Sequence, residues 1–242
     1  METRVQEIAD RVYRLSTFAS DVAPPAGFTF NQFLVDADEP LLFHCGHRSM
    51  FPSISAAVAK IMPLNKLRWL SFSHFEADEC GASNQWFAAA GHAQIVHGEV
   101  GCDVSLNDFA ERAPRPLADG EILDLGGRRV RLIATPHVPH GWDAIMLHEE
   151  ETGVLFCSDL VGQVGDGPAL GGDEIVEAAL AAESMFQSVS VTPIFGATVN
   201  RLADLAPKTL AIMHGSSFSG DCARVLRTFG AGLEAQAKAR SA

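Results

Sequence analysis

The sequence predicts a mixed α/β fold of four layers, an αββα sandwich, and two observations carry that expectation. The order of elements runs strands, helix, strand, helix in the first half and then repeats in the second. Each half therefore reads as a mixed sheet with helices on one face, and two such sheets bury their free faces against each other. The 242 residues, 47% hydrophobic, suffice for one domain over 1–242 whose core needs no covalent staples.

The elements follow from local pattern. Residues 12–16 alternate as a short strand, 28–35 follow the turn Pro24-Pro25-Ala26-Gly27, and 41–44 follow Asp38-Glu39-Pro40. Ile54, Val58 and Ile61 have helical spacing. Residues 68–73 form an aromatic-rich strand that runs straight into His74. A short helix is expected over 81–90 and a strand over 94–96. Gly126-Gly127 turns a hairpin between 121–125 and 128–134, and 145–148 and 154–157 flank a second turn. An amphipathic helix over 174–188, a buried strand over 209–213 and a terminal helix over 221–238 complete the chain.

Thirty acidic residues against eighteen basic ones give a formal charge of −12, which argues against a broad basic face for nucleic acid. Cys45, Cys80, Cys102, Cys157 and Cys222 contain no C-x-x-C pair and read as reduced thiols. The charged N-terminal stretch has no apolar signal region, and no run of about 18 apolar residues is present to span a bilayer. A soluble, cytoplasmic protein is the expectation, with no membrane partner.

The chemistry concentrates at strand ends. His74, Glu76 and Asp78 stand at i, i+2 and i+4 after the strand over 68–73, so an extended backbone would project them to one side. His140 follows the strand over 128–134, Asp159 the strand over 154–157, and His214 the strand over 209–213. Imidazoles and carboxylates gathered at four strand ends make a divalent-cation site. His137 competes with His140 for the third imidazole position and otherwise serves as a partner that orients a ligand. His92, His97 and His148 read as ordinary surface or edge histidines, and Cys80 and Cys157 as small buried hydrophobes.

This pattern resembles the metallo-β-lactamase superfamily. Phe33-Leu-Val-Asp…Leu41-Leu-Phe-His-Cys-Gly is similar to its opening hairpin, although His44-Cys45-Gly46 replaces the usual Asp-Thr-Gly. The hydrolase branch reads H-x-H-x-D-H, whereas this chain reads His74-Phe-Glu76-Ala-Asp78-Glu79. Glutamate in the third position resembles the flavodiiron and oxygen-binding diiron branch, as do His140-Gly-Trp-Asp143-Ala-Ile-Met146 and Phe156-Cys-Ser-Asp159. The resemblance implies that His74, Glu76 and His140 bind a first metal and Asp78 and His214 a second, with Asp159 bridging. Glu79 stands where the pattern has a histidine and is an additional ligand or a supporting residue. His44 and His47 are expected beside the site in supporting roles.

Anionic Glu76 in place of an imidazole favours a pair of iron ions, with zinc or manganese as alternatives, since hard oxygen donors stabilise the more oxidised metal. The resemblance implies binding or reduction of O2 or NO, as a sensor or as a reductase with a separate electron donor. No glycine-rich flavin loop is visible, so no flavin is expected, and a homodimer would be ordinary for the branch. The competing expectation is a dizinc hydrolase.

Overall fold

Alternating and near-continuous apolar runs build two seven-stranded sheets, and the computed structural model describes residues 2–240 of them and their helices. Met1, Ser241 and Ala242, the ends of the expected 1–242 domain, lie outside the described residues. The first sheet contains β1 (Thr3–Ala9), β2 (Val12–Ala19), β3 (Phe28–Val35), β4 (Leu41–Phe43), β5 (Trp69–Ser71), β6 (Gln94–Gly98) and β7 (Arg115–Leu117), in chain order. It is antiparallel through β4 and parallel from β4 to β7. The second contains β8 (Ile122–Asp124), β9 (Arg129–Ala134), β10 (Ile145–Glu149), β11 (Val154–Phe156), β12 (Leu170–Gly171), β13 (Thr209–Ala211) and β14 (Ser217–Ser219). Its order is β12-β14-β13-β11-β10-β9-β8, with β11 and β13 parallel at its centre.

Helices α1 (Phe51–Val58), α2 (Ala77–Cys80), α3 (Ser83–Ala89), α4 (Glu99–Gly101) and α5 (Asn107–Phe109) accompany the first sheet. Helices α6 (Ile175–Phe186), α7 (Phe195–Asp204) and α8 (Cys222–Arg240) accompany the second. Three apolar interfaces separate the four expected layers. Ile54, Trp86 and Phe87 pack on Leu15, Leu34 and Leu70 outside the first sheet. Phe33, Phe43, Phe156 and Leu147 fill the space between the sheets. Val199, Leu226 and Phe229 pack on Leu155, Leu210 and Ile212 outside the second. Neighbours on β3 split between faces, Phe33 inward and Leu34 outward, as a period-two strand requires.

The expected elements appear with boundaries shifted by a few residues, and several short or irregularly patterned ones that were not expected join them, β1 and α7 the longest. β1 is an edge strand in which only Thr3 and Ile8 are buried, so its apolar alternation is weak. α7 does carry helical spacing at Phe195, Val199 and Leu202, all buried, but Pro193 and Gly196 punctuate its start. Among the described residues no helix is long and apolar enough to cross a membrane.

Candidate metal centre

Four loops leave the ends of β5, β9, β11 and β13 and meet at one edge of the sandwich. The first bends through Ser73, His74 and Phe75, is extended at Glu76, whose backbone is at φ −139°, ψ 155°, and then turns into α2. Asp78 therefore sits in the first turn of a helix, not in the extended run expected for it. It nevertheless faces the same site.

The side chains fall into two sets joined by Asp159. In the first, Glu76 Oε2 is 2.8 Å from His74 Nε2 and 3.1 Å from His140 Nε2. Asp159 Oδ2 lies 3.6 Å from His74 Nε2 and 3.7 Å from His140 Nε2. The ligating atoms of these four residues all lie within 4.8 Å of one another. In the second set, His214 Nε2 is 3.1 Å from Asp159 Oδ1 and 3.5 Å from Asp78 Oδ2. One carboxylate thus turns one oxygen to each set.

Backbone bonds hold the loops in register. Met213 N donates to Ser158 O at 2.8 Å, and Gln163 N donates to His214 O at 3.0 Å, so the loops of Asp159 and His214 brace each other. Asp143 Oδ2 accepts from Phe75 N at 2.9 Å, which ties the His140 loop to the His74 loop. Gly141, at φ +78°, allows that approach, because a Cβ there would meet Asp143 Oδ1 at 3.0 Å and His74 Cβ at 3.2 Å. His214 Nδ1 lies 2.8 Å from Thr29 O. Donation to that carbonyl leaves Nε2 free to face the carboxylates.

The electrostatics suit a cation. Burial would lower His74 and His214, but Glu79, Glu76 and Asp159 outweigh it at His74, holding it at about 10, and Asp159 and Asp78 do so at His214, at about 9. Burial would raise Asp159, yet His214, His74 and His140 bring it down to about 2. Hydrogen bonds with His140 and His74 lower Glu76, while burial raises Asp78. Asp159 Oδ1 is buried without an aligned hydrogen-bond donor even though His214 Nε2 is close. Imidazole nitrogens and hard carboxylate oxygens converging in this way fit a divalent transition metal, which would take the place of the protons on His74 and His214.

A family model described as ODP family beta lactamase matches residues 28–215. The chain belongs to the ODP family of beta lactamases. This ODP-family chain is 24% identical over 204 residues to the rubredoxin-oxygen oxidoreductase of Megalodesulfovibrio gigas, covering 81% of itself and 50% of that protein. It is 23% identical over 226 residues to the nitric oxide reductase of Moorella thermoacetica, covering 89% and 56%. It thus spans about half the length of these curated relatives. Among solved structures, a fragment (1–254) of putative diflavin flavoprotein A 5 from Nostoc sp. PCC 7120 superposes with a TM-score of 0.85 at 16% identity, covering 100% of this chain and 99% of that one. That likeness establishes the αββα fold.

Some expectations for the ODP-family site need correction. His137 is neither in the cluster nor behind it: the residue is exposed, with a positive φ of 66° at the turn. His97 is fully buried, not a surface histidine, and its Nε2 lies 3.1 Å from Ser73 O, one residue before His74. Glu79 turns away from the second set. Its Oε2 accepts from Ser73 N at 2.6 Å and His74 N at 2.9 Å, its Oε1 accepts from Ser158 Oγ, and His44 Nε2 lies 3.4 Å from Oε1. The sequence offered one signal for that arrangement, since positions 44 and 79 are both departures from the family pattern.

Proposed function

We propose that His74, Glu76, Asp78, His140, Asp159 and His214 hold two iron ions, and that the pair binds or reduces O2 or NO. The observation that carries this reading is Asp159, whose two oxygens face opposite donor sets at 3.6 and 3.1 Å. Iron ions held by these residues would supply electrons to a diatomic molecule bound there. Glu76, Asp78 and Asp159 place three carboxylates around the pair, which suits a metal that cycles to a more oxidised state. The curated relatives named for oxygen and nitric oxide chemistry support the same substrates.

A cavity of about 320 Å³ opens onto Glu76, Asp78, His140, Asp159 and His214. Val22, Phe28 and Phe186 line it as well, and the Phe28 ring lies 4.2 Å from the His214 ring. An apolar wall beside charged donors admits a small uncharged molecule and offers little to hold a charged one. Within this reading, electrons come from a separate donor, residues 1–242 form one domain without a flavin, and two copies form a dimer. The five cysteines, all free and buried, accord with a cytoplasmic setting.

The test uses protein made with ample iron, reduced without air and mixed with oxygenated buffer in a stopped-flow spectrometer. Close to two irons per chain and a rapid absorbance change are expected. Two zinc ions, a featureless trace and turnover of an ester or thioester would establish the hydrolase in its place.

A further inference from the structure

The two donor sets are unequal. The first has four protein donors within 4.8 Å of one another, from His74, Glu76, His140 and Asp159. The second has three, from Asp78, Asp159 and His214. Glu79 occupies the position at which the family pattern offers one more imidazole, and its side chain is engaged elsewhere. Two backbone N–H groups and one hydroxyl donate to it, and His44 Nε2 and His74 Nδ1 lie 3.4 and 3.5 Å from its Oε1. The three donors take three of a carboxylate's about four acceptor positions, while His44 Nε2 is close without an aligned hydrogen bond. Swinging Glu79 forward would strand the buried N–H groups of Ser73 and His74, a cost that a surface carboxylate does not face.

The second departure from the pattern explains the first. His44 stands where the pattern has the aspartate of Asp-Thr-Gly, is fully buried, and has its Nδ1 3.1 Å from Asn31 O. Its other nitrogen faces Glu79. Acid and imidazole have exchanged places relative to the pattern: Glu79 ties the His74 loop to the Asp159 loop through Ser158, and His44, just after β4, lies beside it. The remaining imidazole on this side, His47, is half-buried and meets the Phe30 ring edge-on at 5.1 Å.

We infer that Glu79 is a positioning residue, paired with His44, and that the second metal position is consequently the weaker, exchangeable one. This rests on the two-metal reading above. The closing experiment titrates metal-free protein anaerobically with Fe(II), and with Co(II) as a coloured probe, under chelator competition. The second equivalent should bind at least about tenfold more weakly than the first, the scale at which a lost donor or supporting contact acts. Two equivalents of equal affinity would overturn the inference and leave the two-metal reading intact. Failure to take up a second metal at any concentration would overturn that reading itself. Glu79→Ala should weaken the first step, through His74, and alter its Co(II) spectrum; Glu79→Gln serves if the alanine variant does not fold. Loss of the second step alone would make Glu79 a ligand and refute the inference. His47→Ala should change neither step, and loss of the second step there would assign the missing donor to His47, again overturning the inference.

Discussion

A single side chain sets the chemistry at residue scale. Glu76 accepts from the direction of two imidazoles at 2.8 and 3.1 Å and carries a negative charge where the hydrolase pattern has a neutral ring. Glu76→His should therefore shift metal preference from iron toward zinc with the fold unchanged, because half of the side chain's surface is exposed and no core packing depends on it. Elemental analysis of both proteins from the same iron-replete culture checks this, and identical metal content would remove Glu76 from the ligand set. Asp159 is the opposite case. Asp159→Ala leaves both donor sets without their shared member and should reduce bound metal well below one per chain, read by the same analysis.

Elements act by aiming those residues. The end of β11 is held between the sheets by Phe156, fully buried, with the rings of Phe33 and Phe43 at 5.8 and 5.3 Å. Phe156→Ala should cost about 3–5 kcal/mol by denaturant unfolding, since a cavity opens between two sheets that cannot collapse onto it. A loss below about 1 kcal/mol, smaller than a typical ring deletion in a core, would mean that the sheets re-pack. On the opposite side, Asp143 joins the loops after β9 and β5 through Phe75 N. Asp143→Ala should weaken metal binding by about 10–100-fold, with Asp143→Asn retaining most of it, because the amide oxygen still accepts from Phe75 N. Equal affinity in the alanine variant would show that the loops are held without this bond.

At the scale of the whole molecule, the candidate metal residues open into the cavity of about 320 Å³, and the chain carries a net charge of −12. Purified protein should contain no stoichiometric flavin, and sustained O2 consumption should require an added electron donor. Flavin at one per chain after extraction in acid would contradict this. The candidate donors and their strand-end positions were legible in the sequence because each is local: a period-two run ends, and an ionisable residue follows it. The order of elements likewise carried the four layers. Contacts between segments far apart in the chain were not legible. Glu79 stood open between a further ligand and a supporting residue, and only the approach of Ser158 and His44, 79 and 35 residues away, turns it back into the protein. His97 looked like an edge histidine until Phe72 and Ser73 O closed over it. His137 and His140 lie three residues apart in one loop, and the turn at Gly141 against His74 decides which faces Glu76. Side-chain chemistry is a property of each position, whereas its direction depends on which buried polar groups elsewhere must be satisfied, and that is settled only when the two sheets meet.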